Sequence, residues 1–149
     1  MRFARFATIL ALLATLPLCA VAADINGTWK AVFTGSSAAL LKTPTEIVFT
    51  FAIDGKRLTG EAHMKDWPFD APISDGQVDG NRISFTVLGH SPYTATSSKG
   101  ATVGYPKLVF TGTLDGKTMT LSLTWSSVLD SGEERGGQKL DMKGAKTSE

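Results

Sequence analysis

The chain has 149 residues, 15 of them lysine or arginine, 14 aspartate or glutamate, and a single cysteine. A net charge of +1 leaves no electrostatic footprint for nucleic acid or an anionic membrane, which excludes both as expected partners. The length suits one domain. Chain order begins with a targeting segment over residues 1–23. Arg2 and Arg5 supply a basic start, "FATILALLATLPL" is an apolar run short for a bilayer, and "AVAA" offers small residues for cleavage before Asp24 or one residue earlier. Lipidation would use Cys19, but Leu18 precedes it where a small residue is wanted. The expectation is ordinary secretion, to the periplasm or beyond. Cleavage removes both arginines and the cysteine, so the mature chain carries 13 basic and 14 acidic residues and forms no disulfide.

The mature domain, residues 24–144, reads as eight short strands. The first, "INGTWKAVFT", places Ile25, Trp29, Ala31 and Phe33 on one face. After "GSSAALLKTP", whose "SSAALL" suits one helical turn, "TEIVFTFAI" and "KRLTGEAHM" flank Asp54-Gly55. Ile47, Phe49, Phe51 and Ile53 then face inward, with Leu58, Gly60, Ala62 and Met64 beside them. "PISDGQV" and "NRISFTVL" flank Asp79-Gly80, the second with Ile83, Phe85 and Val87 inward. "KLVFTGTL" and "KTMTLSLTW" flank Asp115-Gly116, with Leu108, Phe110, Gly112 and Leu114 facing Met119, Leu121, Leu123 and Trp125. Asp-Gly between alternating runs predicts a hairpin whose two turn residues both take positive φ. The last strand, "GQKLDMKG", turns Leu140 and Met142 inward, and residues 145–149 read as a disordered tail.

The connections sort by parity. The tight Asp-Gly turns join strands 2–3, 4–5 and 6–7, while the long segments join 1–2, 3–4 ("KDWPFDA"), 5–6 ("GHSPYTATSSKGATVG") and 7–8 ("SSVLDSGEERG"). In an up-and-down antiparallel barrel alternate connections lie at opposite ends, so the short turns close one end and the long loops ring the other. The expected fold is therefore an all-β, eight-stranded antiparallel up-and-down barrel. Such a barrel is either filled by its own side chains or hollow enough for one small ligand.

"NGTW" opening the first strand, "RLTGEAH" after a turn and "LSLTWSS" in the seventh strand resemble the calycin superfamily of lipocalins and avidins. The resemblance implies a calycin-like barrel whose Trp29 closes the narrow end. It implies a ligand-packing role for Trp125. The polar positions with which avidins hold biotin fall on Ala31 and Gly35, and Asp141 alternates with inward Leu140 and Met142, so biotin is not the implied ligand.

Catalytic signals are thin. Nucleophilic catalysis needs a base beside the nucleophile, and the two histidines fall on an outward face (His63) and at a loop mouth (His90). No His or Cys spacing suits a metal, so neither a metal nor a cofactor is expected. Carboxylates collect at the long-loop end in Asp66, Asp70, Asp130, Glu133 and Glu134, where "DSGEERGG" reads first as a solvated loop. The stronger signal there is aromatic: Trp67 and Phe69 in a proline-stiffened loop, with Tyr93 and Tyr105 bracketing the longest one. The expectation is a secreted, non-enzymatic barrel binding a small apolar or amphipathic molecule at the long-loop end through Trp125, Trp67, Phe33, Phe85, Tyr93 and Tyr105. The alternatives are a carbohydrate-binding accessory domain or glycan-acting enzyme using the Trp67 loop, and a filled structural or inhibitory barrel acting through its loops.

Overall fold

The computed structural model describes residues 24–40, 46–64, 69–97 and 100–148. The proposed targeting segment, Asp66 and Trp67 lie outside the described residues. In chain order the elements are β1 (Gly27–Phe33), α1 (Gly35–Leu40), β2 (Glu46–Asp54), β3 (Arg57–Met64), β4 (Phe69–Asp79), β5 (Arg82–Leu88), β6 (Tyr93–Ser97), β7 (Gly100–Asp115), β8 (Thr118–Leu129) and β9 (Glu134–Ser148). Every pairing is antiparallel. β1 pairs with both β2 and β9, and β5 pairs across to β7, which closes eight strands into an up-and-down barrel. β6 is the ninth strand and stands outside that ring, paired with the first residues of β7.

The three short turns lie where parity puts them, but their chemistry differs from the expectation. Asp54 pairs with Arg57, Asp79 with Arg82 and Asp115 with Thr118, so each aspartate is the last rung of its ladder. The turn residues are Gly-Lys, Gly-Asn and Gly-Lys. Only the glycines take positive φ, at 61° for Gly55, 61° for Gly80 and 58° for Gly116. Positive φ at the first central position alone marks type II′ turns, in which the second residue stays in an ordinary region. A Cβ at any of the three meets open space, so a substitution acts through backbone strain. Valine at each of these positions is expected to destabilise by about 1–3 kcal/mol, read from the urea midpoint. Three neutral variants would sink this assignment.

The last three strands outrun their expected lengths. β7 begins at Gly100 and β8 reaches Leu129, so the longest loop contains the additional strand β6 and the last loop shrinks to residues 130–133. β6 and the upper parts of β7, β8 and β9 form a four-stranded ribbon standing on the long-loop end. At the other end, residues 145–148 are not a disordered tail. Ala145 pairs with Lys30, Lys146 with Trp29 and Ser148 with Thr28. Polar segments of this kind lack the alternation that announces a strand, and neighbouring ladders recruit them regardless.

β4 carries a bulge. Its register shifts against both neighbours around Asp75-Gly76, where Asp75 holds φ 51°. Ile73 and Val78 are consequently both buried although they differ in parity. This fourth Asp-Gly is thus a bulge within a strand.

The inward-facing set is the core. Phe49, Phe51, Phe85 and Phe110 meet at centroid distances of 4.8–5.4 Å, in stacked and edge-to-face pairs, and fill the middle of the barrel. Trp29, fully buried, closes the short-turn end. Its indole N–H donates to the Ile25 carbonyl at 2.8 Å. Residues 24–26 cross that end, where the Ile53 N–H donates to Asn26 Oδ1 at 2.9 Å. Lys146 lays a side chain only 5% exposed beneath Asp24 and donates to its carboxylate at 2.8 Å.

Candidate functional site

The inner face of the barrel continues up the ribbon. Across the ladders Leu108 faces Trp125, Pro106 faces Ser127, and Gly104 faces Leu129 on one side and Tyr93 on the other. Period-two alternation puts all of these on the concave face.

β9 joins that face by means of a bulge. Trp125 pairs with Gln138, but Ser126 pairs with Gly136, so Gly137 is the extra residue. Gly136 and Gly137 hold φ 96° and 135°. Without the extra residue Arg135 would stand opposite Val128 and point outward. With it, Arg135 stands opposite Ser127 and shares the face of Trp125.

The result is a groove of about 390 Å³, lined by Trp125, Ser126, Ser127, Arg135, Gly136, Gly137, Gln138 and Leu140. Trp125 is half-buried and packs against the core, which makes it the floor. The Tyr93 hydroxyl is hydrogen-bonded to Ser127 Oγ, and the ring lies over Gly104. Arg135 is held from the side by Glu133. Nε donates to Oε1 at 2.9 Å and Nη2 to Oε2 at 3.2 Å. That hydrogen bond and the guanidinium charge hold the Glu133 carboxyl below the usual carboxylate range.

On the opposite face of the ribbon Glu134 accepts from Lys107 Nζ at 2.7 Å and from the Ser126 hydroxyl at 2.6 Å. These two bonds, Lys107 first, lower the Glu134 carboxyl as well. Adjacent glutamates thus serve opposite faces, each with its own cation.

Of the six aromatic residues expected to form the site, the structure brings Trp125 and Tyr93 to the concave face. Phe33 and Phe85 are buried in the barrel, Phe85 within the ring cluster, where both serve packing. Tyr105 stands opposite Val128, on the outer face, because its neighbour Gly104 is the residue that faces Tyr93. Trp67 lies outside the described residues. Arg135 is hidden from alternation by the β9 bulge, for which the Gly136-Gly137 doublet is the one sequence signal, whereas Gln138 keeps the phase of Leu140 and Met142.

His63 and Asp70 face each other across β3 and β4 on the outer wall, with Nδ1 hydrogen-bonded to Oδ1. His90 stands apart and exposed. Among the described residues no group of three or more His, Cys, Asp or Glu converges as metal ligands. A second depression of about 430 Å³ lies on the outer wall between β4, β5 and β7, lined by Gln77, Asp79, Arg82, Ile83, Ser84, Thr111, Gly112 and Thr113. It carries no aromatic residue. In comparisons with known proteins, no family model, curated protein or solved structure matches the chain.

Proposed function

We propose that the protein is a secreted, non-enzymatic barrel of the calycin kind that binds a small amphipathic molecule at its open end. The observation that carries this reading is the 390 Å³ groove over Trp125, an aromatic floor rimmed by the Ser127, Arg135 and Gln138 side chains. Ligand sites commonly combine an apolar surface with a few converging polar groups in a volume of this order. The phenylalanine cluster fills the barrel below, which favours a ligand lying at the mouth over one swallowed by the barrel. Trp29 sealed at the short-turn end after Gly27 fits the calycin resemblance. Export rests on the first 23 residues, and the intact mass of secreted material tests it: a chain starting at or one residue before Asp24, without lipid, is the expected product.

The ring cluster also favours a second reading, a structural barrel acting through its ribbon. Ligand screening separates the two. Replacing Trp125 by alanine should abolish the quenching of tryptophan fluorescence by a bound apolar probe while lowering stability less than the loss of a fully buried aromatic, since Trp125 is only half-buried. If no apolar or amphipathic molecule shifts the melting temperature of the intact protein, the binding reading fails and the structural one stands.

A further inference from the structure

We propose that the groove takes a molecule with a carboxylate head and an apolar body, and that Glu133 is a built-in competitor for the head-group position. This rests on the groove being a ligand site and adds the chemistry of its ligand.

Arg135 presents a planar fork of donors, which suits a carboxylate better than a point charge does. The structure already holds a carboxylate in that fork, because Glu133 takes one oxygen on Nε and the other on Nη2. Both partners are more than half exposed, at 59% and 55%. Exposed ion pairs contribute about 0–1 kcal/mol, so exchange of Glu133 for another carboxylate is energetically easy. Arg135 lines the same groove as Trp125 and Leu140, which places an apolar surface within reach of the fork. Gly136 and Gly137 lie between Arg135 and Leu140 in sequence and add no side chain to the groove wall. A head on Arg135 and a body along Trp125 therefore satisfy both halves of the groove. Glu134, next in sequence, is engaged by Lys107 and Ser126 on the opposite face and does not compete.

The arrangement makes opposite predictions for two neighbouring residues. In the full chain, Glu133→Gln removes the competitor and should tighten decanoate binding about two- to fivefold. Arg135→Gln should weaken it by a similar factor, about two- to fivefold. Decanol, with the same chain and no charge, serves as the reference in calorimetric titrations of all three proteins at neutral pH. The proposal requires the ratio of decanoate to decanol affinity to rise in the first variant and fall in the second, with unchanged melting temperatures showing that both are folded.

Unchanged ratios, with decanol bound by all three proteins, would overturn the head-group assignment and leave the groove standing. Weaker decanoate binding by Glu133→Gln would also overturn it, because Glu133 would then be orienting Arg135 and not competing for it. Binding of neither molecule by the unmodified protein would remove both this proposal and the ligand reading beneath it.

Discussion

Truncating Trp29 to alanine is expected to lower folding stability by about 3–5 kcal/mol. The side chain is fully buried and is among the largest in the core. Its indole N–H is bonded to the Ile25 carbonyl, so the change also leaves that carbonyl without its donor beneath the segment that crosses the closed end. Whole-domain stabilities run to about 5–15 kcal/mol, so a loss of this size takes a large share. Phenylalanine at the same position keeps most of the volume and should cost less. Urea melts of the two variants check both statements, and equal midpoints for alanine and phenylalanine would mean that the volume of the ring is immaterial. The contrast with Trp125 is one of height in the barrel: β1 enters from the closed end, whereas β8 delivers Trp125 to the open one.

A still larger effect is expected at Gly60, which pairs with Phe51 and holds φ 141°. A Cβ there would fall 1.8 Å from the Thr50 carbonyl oxygen and 2.9 Å from its carbon. Those are backbone atoms in the middle of a ladder and cannot yield as the tip of a flexible side chain can. Relief requires parting β2 from β3, and the barrel has no slack to absorb it. Alanine at Gly60 should therefore destabilise by more than about 4 kcal/mol, or prevent accumulation of folded protein. Alanine at Gly55, where the added atom meets open space, is the matched control and should cost about 1 kcal/mol. Similar urea midpoints for the two alanine variants would show that the strands can separate at Gly60 without penalty.

Much of this was legible because a barrel wall has one dry face. Wherever strands keep strict alternation, from Trp29 to Phe33, Ile47 to Phe51 and Leu108 to Leu114, the inward residues are those that apolar spacing selects. Parity of the connections then places the turns and loops at opposite ends. Sequence pattern fails where a strand breaks its period or has nothing dry to face. The bulges at Asp75-Gly76 and Gly136-Gly137 shift the period by one residue, and the second of them decides which way Arg135 points. The ribbon strands carry small and polar residues because they stand above the core, so "YTATS" and "GEERGG" resemble loops. The site suffers most from this, since it is built where the ribbon meets the barrel.

The seam between β1 and β9 sets the order in which the chain can assemble. Most ladders join strands that follow one another, several through two-residue turns, and need little chain to be gathered in. Thr34 and Asp141, bonded across the seam, lie 107 residues apart. Closing a loop of that length carries an entropic cost of ~4 kcal/mol before any constant term, so it is favourable only once the intervening hairpins have shortened the effective path. Wherever that seam is open the sheet has two raw edges, and those edges are open to pairing with another chain. Lys30 stands on one of these edges, and Lys139, Asp141 and Lys143 on the other, so charged side chains interrupt both and disfavour flat pairing with a second sheet.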